Sequence, residues 1–169
     1  MLRVLQIPVT VVSSAISDAL YKNSAEEINV GNIWQLRSRI RKLLLILMGA
    51  GSVPFALIYT YGEEVFSFIF GAEWAIAGNY ASVMSLGLYS MFCASPLTKV
   101  LWALEMNKWY FYWEISRLAL VSIPLACIGV YGSKDIYIVW SLTGGLSISY
   151  VVLVMVVFTA LGRNFSGRV

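Results

Sequence analysis

Residues 43–62, LLLILMGAGSVPFALIYTYG, run for 20 positions without a charged side chain. A helix of that length extends about 30 Å, the thickness of bilayer hydrocarbon. Working outward, residues 74–98, 118–133 and 136–162 are equally devoid of Asp, Glu, Lys and Arg. One such run would suit the buried helix of a soluble protein. Four of them in 169 residues imply a chain whose solvent is lipid. The composition agrees: 59% of the residues are hydrophobic and 12% charged, against about 25% charged in a typical soluble domain.

The reading is an all-α, polytopic transmembrane helix bundle with about five membrane helices plus a short interfacial helix. The segments are expected at about Val4–Tyr21, Leu43–Tyr61, Gly78–Leu101, Trp109–Tyr131 and Ile136–Leu161, so residues 1–162 form the bundle and 163–169 a tail. Pro8, Pro54, Pro96 and Pro124 put one proline in each of four segments, where neighbouring helices must satisfy the backbone groups that proline releases. Between Glu63 and Glu73, the block Val65, Phe66, Phe68, Ile69 and Phe70 is too short to span. It predicts the interfacial helix, ended by Gly71. Small residues four apart, Gly78/Ser82, Ser90/Ala94 and Gly145/Ser149, are candidates for close helix contacts. Trp74, Trp109, Tyr110, Tyr112 and Trp113 sit where interfacial aromatic belts form.

The basic residues orient the segments. Lys22, Arg37, Arg39, Arg41 and Lys42 follow the first segment, and Lys99, Lys108 and Arg117 surround the third connection. Arg163 and Arg168 lie in the tail. Alternate connections therefore collect ten of the twelve Lys and Arg residues on one side, leaving Arg3 and Lys134 on the other. The positive-inside rule makes the first side, and the C-terminus, cytoplasmic. An outside start for the first segment suggests that further helices precede it.

The first segment differs from the rest. Arg3, Gln6, Thr10, Ser13 and Ser17 recur at spacings of 3, 4, 3 and 4, which sets them on one helical face. Ser14 and Asp18 flank that face, and the polar arc covers roughly 140° at about 100° per residue. Such a stripe is costly against lipid, about 2.5–3.5 kcal/mol for one mid-helix charge. Hydroxyls alone could be packing contacts inside a bundle. Gln6, together with Arg3 and Asp18 near the two ends, favours a water-filled cavity. Glu114 and Arg117, one turn apart in the fourth segment, form a second polar pair; they can neutralise each other or snorkel to the interface.

Other chemistry finds little support. The chain has no His, and its two cysteines, Cys93 and Cys127, sit in apolar segments as small hydrophobes. No nucleophile elbow, P-loop or zinc-protease spacing occurs. Neither an enzyme nor a cofactor or metal is expected. No basic face with aromatic support points to nucleic acid.

The order of SSAISDALYKNSAEE, RSRIRKLL, GAGSVPFALIYTYGEEV and FIFGAEWAIAGNYASVMSLGLYSMF resembles the C-terminal part of oligosaccharide flippases, the polysaccharide transporters of the multidrug/oligosaccharidyl-lipid/polysaccharide exporter superfamily. The resemblance spans about residues 8–160, and its most specific piece is FGAEWAIAG preceded by EEVFSF. It implies helices eight to twelve of a two-lobe transporter that moves lipid-linked oligosaccharide across the bacterial inner membrane by alternating access. It also implies that the first segment lines a cavity. The first lobe and the seventh helix have no counterpart here, so the expectation is a fragment that would act with a missing N-terminal lobe. A peptidoglycan-precursor or multidrug exporter of the same superfamily, and a non-transporting membrane interaction subunit, are the alternatives.

Overall fold

A computed structural model describes Val11, Ser14, Ser17, Asp18, residues 20–22 and 24–28, Val30, and residues 32–131 and 135–166. Every regular element among these residues is helical. The described residues between 11 and 28 are helical and precede five α-helices: α1 (Ile33–Phe70), α2 (Ala75–Ala94), α3 (Thr98–Ala103), α4 (Asn107–Tyr131) and α5 (Asp135–Ser166). Short 3₁₀ turns at Ala72–Trp74 and Ser95–Leu97 bracket α2.

Asn32 starts α1. Its side chain accepts a 3.4 Å bond from the Gln35 backbone N–H and donates a 2.6 Å bond to Gln35 Oε1. This pair engages one of the four N–H groups that every helix start leaves unpaired. The helix then runs 38 residues, about 57 Å at 1.5 Å per residue, well beyond a bilayer's hydrocarbon. It is not straight: Tyr61 leaves helical geometry (φ −122°, ψ 21°). Two helical stretches therefore meet at this kink, and the second, ending at Phe70, stands where the short interfacial helix is expected. Gly62 follows the bend but does not stop the chain, because it remains helical. The stop comes at Gly71, whose φ of +101° is strained for any residue with a Cβ.

The bend is locked to α2. Ser82 Oγ donates 3.0 Å to the Ile58 carbonyl, one turn before Tyr61. A Cβ on Gly78 would lie 2.6 Å from Glu63 Cα and overlap the Gly62 carbonyl. A Cβ on Gly62 would lie 2.8 Å from the Gly78 carbonyl and overlap the Ser82 hydroxyl. The two backbones thus touch where both helices lack side chains.

The third expected segment also changes form. Pro96 lies in a buried 3₁₀ turn, and α2 ends at Ala94 instead of continuing to Leu101. Proline removes one backbone donor from the helical ladder, while Ser95 before it keeps αR geometry. The short α3 follows, and Glu105 turns the chain into α4 with φ +57°.

The four long helices stand in a row: α1 packs on α2, α2 on α5, and α5 on α4. At α5/α4, a Cβ on Gly145 would sit 2.7 Å from the Leu120 carbonyl oxygen. At one end α1 also meets α5. The continuous core gathers there, where Leu20, Leu36, Ile40, Leu97, Val100, Leu101, Trp113, Tyr150 and Leu153 meet.

Among the described residues, two helices rather than about five are long and apolar enough to cross a membrane: Trp34–Phe70, mean hydropathy 2.0, and Ile136–Gly162, mean hydropathy 2.2. Asn79, Ser82, Ser85 and Ser90 dilute α2, and the side chains of residues 127–131, the charge-free end of α4, lie outside the described residues. Most of the first expected segment lies outside the described residues. Only 11% of the apolar window of α1 is buried. Leu45, Ile46, Val53 and Leu57 on α1, and Ile148, Val151 and Met155 on α5, face outward. The interior helix of a soluble protein would bury those positions.

Candidate functional site

Of the seven residues in the polar stripe, Arg3, Gln6, Thr10 and Ser13 lie outside the described residues. Ser14 and Asp18, one turn apart, are both exposed, while Ser17 is buried, as are Leu20, Ser24 and Glu27 further along. The helix therefore divides its polar residues. The 14/18 edge stays open, and the 17/20/24/27 edge turns into the core at the basic end.

Ser14 Oγ donates 2.9 Å to the Val11 carbonyl, the back-bond typical of a helical serine. Asp18 Oδ1 lies 3.8 Å from Lys99 Nζ, which also sits 4.6 Å from the centre of the Trp102 ring. Asp18 keeps 75% of its side chain exposed, so this pair contributes at most about 1 kcal/mol. It leaves the carboxylate open to solvent or to a ligand.

The firmest tie between this segment and α1 is one that sequence spacing does not display. Glu27, with a side chain only 10% exposed, pairs with Arg39 at 2.8 Å. A basic run just after a pair of acids is the one signal that points toward it. A carboxylate this buried needs its cation, since desolvation without a partner costs several kcal/mol.

The second predicted polar pair is brought together. Glu114 Oε1 and an Arg117 guanidinium nitrogen form an ion pair on α4, each side chain about 30% exposed. The guanidinium carbon lies 5.5 Å from the centre of the Trp113 ring, within cation–π range. Trp113 is buried; it donates from Nε1 to the Ser149 carbonyl at 2.7 Å and packs against Tyr110 and Tyr150 at 5.8 and 5.7 Å. Trp102 meets Tyr110 edge-on at 5.6 Å. The predicted aromatic belt residues Tyr110 and Trp113 are thus partly inside, where they tie α4 to α5. Trp109 and Tyr112 remain exposed. With its charges mutually neutralised and its arginine stacked, the cluster reads as a helix anchor more than as a transport site.

Two apolar grooves run along the row and share Tyr89. One, about 250 Å³, lies between α1 and α2 and is lined by Ser52, Phe55, Tyr59 and Ser85. The other, about 200 Å³, reaches α5 past Met48, Cys93 and Tyr150. Tyr89 donates its hydroxyl to the Met48 carbonyl at 3.0 Å, which fixes the ring between them. Such grooves accept hydrocarbon and offer little to a sugar. Cys93 is a buried free thiol; the Cys127 side chain lies outside the described residues. No protein-family model, no curated protein and no solved structure matches the chain.

Proposed function

We propose that this chain is a multi-pass membrane protein of the bacterial inner membrane, its C-terminus cytoplasmic. It flips lipid-linked oligosaccharide during surface-polysaccharide synthesis, as the C-terminal part of a two-lobe transporter. The observation that carries the reading is the contrast between outward faces. Those of α1 and α5 are apolar, whereas the first segment presents Ser14 and Asp18 on its open edge beside the exposed Val11, in phase with Arg3, Gln6 and Thr10 in the sequence. A row of helices with one polar margin suits half of a hydrated passage, closed by a second lobe.

In this mechanism no bond is made or broken in the cargo. The polar head group crosses through the hydrated passage while its tail stays in the bilayer, and the protein lowers the desolvation cost of the crossing. Arg3 pairs with the pyrophosphate or an acidic sugar, because a guanidinium offers paired, charge-assisted bonds to phosphate. Gln6, Thr10 and Ser13 exchange hydrogen bonds with sugar hydroxyls, Ser14 and Asp18 hold water beside them, and the buried Ser17 packs behind them. Helix α1, bent at Tyr61 and tied to α2 through Ser82, is a stiff wall against which the polar segment can move.

The test is Arg3→Ala in the intact transporter, scored by surface glycan in the producing strain. The expected result is reduced export at normal membrane abundance. Undiminished glycan would remove Arg3 from the passage and sink the assignment.

A further inference from the structure

Trp34, Arg37, Ser38 and Arg41 follow at i, i+3, i+4 and i+7 on the first two turns of α1, which places them on one face. They line a cleft of about 240 Å³ that has no part in the passage described above. Among the described residues no ion pair involves Arg37 or Arg41. No Asp or Glu occurs between Glu27 and Glu63, and Glu27 is already committed to Arg39. Arg37 has its guanidinium carbon 5.9 Å from the centre of the Phe158 ring on α5. Stacking occupies a face of the guanidinium plane and leaves the in-plane N–H donors available.

What lies beside the cleft identifies its occupant. The same helical face continues through Leu45, 62% exposed, and Met48, 48% exposed. A basic cleft thus passes within one turn into a bare apolar stripe. Trp34, 74% exposed, stands at the polar end of it, where indole rings favour the headgroup level of a membrane. A soluble phosphate would use the cations alone. An anionic lipid would use the cations, the hydroxyl and the apolar stripe together.

The geometry points to a binding site for one anionic phospholipid: its phosphodiester held by Arg37 and Arg41, with Ser38 donating, and its acyl chains lying along Leu45 and Met48. This assignment rests on the membrane insertion proposed above but not on the cargo. A basic side chain near an anionic membrane surface contributes about fivefold in affinity, so removing both arginine charges should weaken binding about 25-fold.

The experiment uses the full chain in a neutral detergent, titrated with short-chain phosphatidylglycerol by calorimetry. Wild type should bind phosphatidylglycerol, Arg37→Gln/Arg41→Gln should bind it about 25-fold more weakly, and Arg37→Lys/Arg41→Lys should retain most of the affinity. Lys108→Gln should bind as wild type does. Equal affinity of the Gln double variant and wild type, or equal binding of phosphatidylcholine, overturns the site. Displacement by millimolar inorganic phosphate assigns the cleft to a small anion and overturns the lipid. Alkaline extraction of cell membranes separates the two layers of the claim. A chain retained in the membrane whose variants all bind alike defeats only the site, whereas a chain that washes out defeats the membrane reading as well.

Discussion

Gly78→Ala is the substitution for which the fold makes its sharpest demand. The new methyl would start 2.6 Å from Glu63 Cα and overlap the Gly62 carbonyl, about 0.8 Å short of the 3.4 Å at which ordinary contact begins. Both obstacles are backbone, so no rotamer change relieves them, and α1 and α2 must part. Overpacking of this kind costs roughly 1–3 kcal/mol. Gly144→Ala is the matched control: it lies in α5 with nothing within 4 Å of its would-be Cβ. There the gain in helix propensity, about 0.5–1 kcal/mol, should appear unopposed. The difference between the two variants should be about 2–4 kcal/mol, or roughly 4–16 °C in melting temperature at about 2–4 °C per kcal/mol. The buried Cys93 thiol supplies the assay. In a Cys127→Ser background, a thiol-reactive fluorophore follows thermal exposure of Cys93 in detergent. Gly78→Ala should melt below the parent and Gly144→Ala at or above it. Equal melting of the two variants would refute the α1–α2 contact as described.

Three further outcomes follow from the same packing. Arg39→Gln strands the 10%-exposed Glu27 carboxylate and should cost about 3–5 kcal/mol; adding Glu27→Gln should recover part of that loss in a double-mutant cycle of melting temperatures. Trp113→Phe keeps most of the apolar contact but loses the bond to the Ser149 carbonyl and weakens the Arg117 stacking, for about 1–2 kcal/mol and a loss of buried-indole fluorescence. Lys99→Ala removes an ion pair whose carboxylate is 75% exposed, so thermal melting should move by less than about 1 kcal/mol equivalent.

The all-helical class was legible because hydropathy and charge spacing are local properties, and the stop at Gly71 was legible because only glycine takes its φ at no cost. The break at Tyr61–Gly62 was legible too: the structure kinks there, steadied by Ser82 from the next helix. Another boundary was not. Residues 78–101 read as one apolar span, but the chain folds Pro96 into a turn once α3 can pack at the buried end. The row order α1–α2–α5–α4 depends on which glycines face which backbones, and spacing cannot assign partners across 60 residues. In the polar segment, periodicity puts Ser14, Ser17 and Asp18 on one arc, but it cannot say that Ser17 is drawn into the core while Ser14 and Asp18 stay exposed. The basic face of α1 is visible in the sequence as the i, i+4 arginines Arg37 and Arg41. Its cleft needs Trp34 and Ser38 in three dimensions.

The central claim is a hydrated polar edge on the first segment, and cysteine scanning reads it directly. Single cysteines at Gln6, Thr10, Ser14 and Asp18, and at Val9 and Val12 for comparison, are introduced into the proposed transporter lacking Cys93 and Cys127. Membranes are then exposed to a charged thiol reagent that does not enter hydrocarbon. The polar positions should label at rates several-fold above the two valine positions. Uniform labelling along the segment, or protection of all six positions, would contradict the hydrated passage.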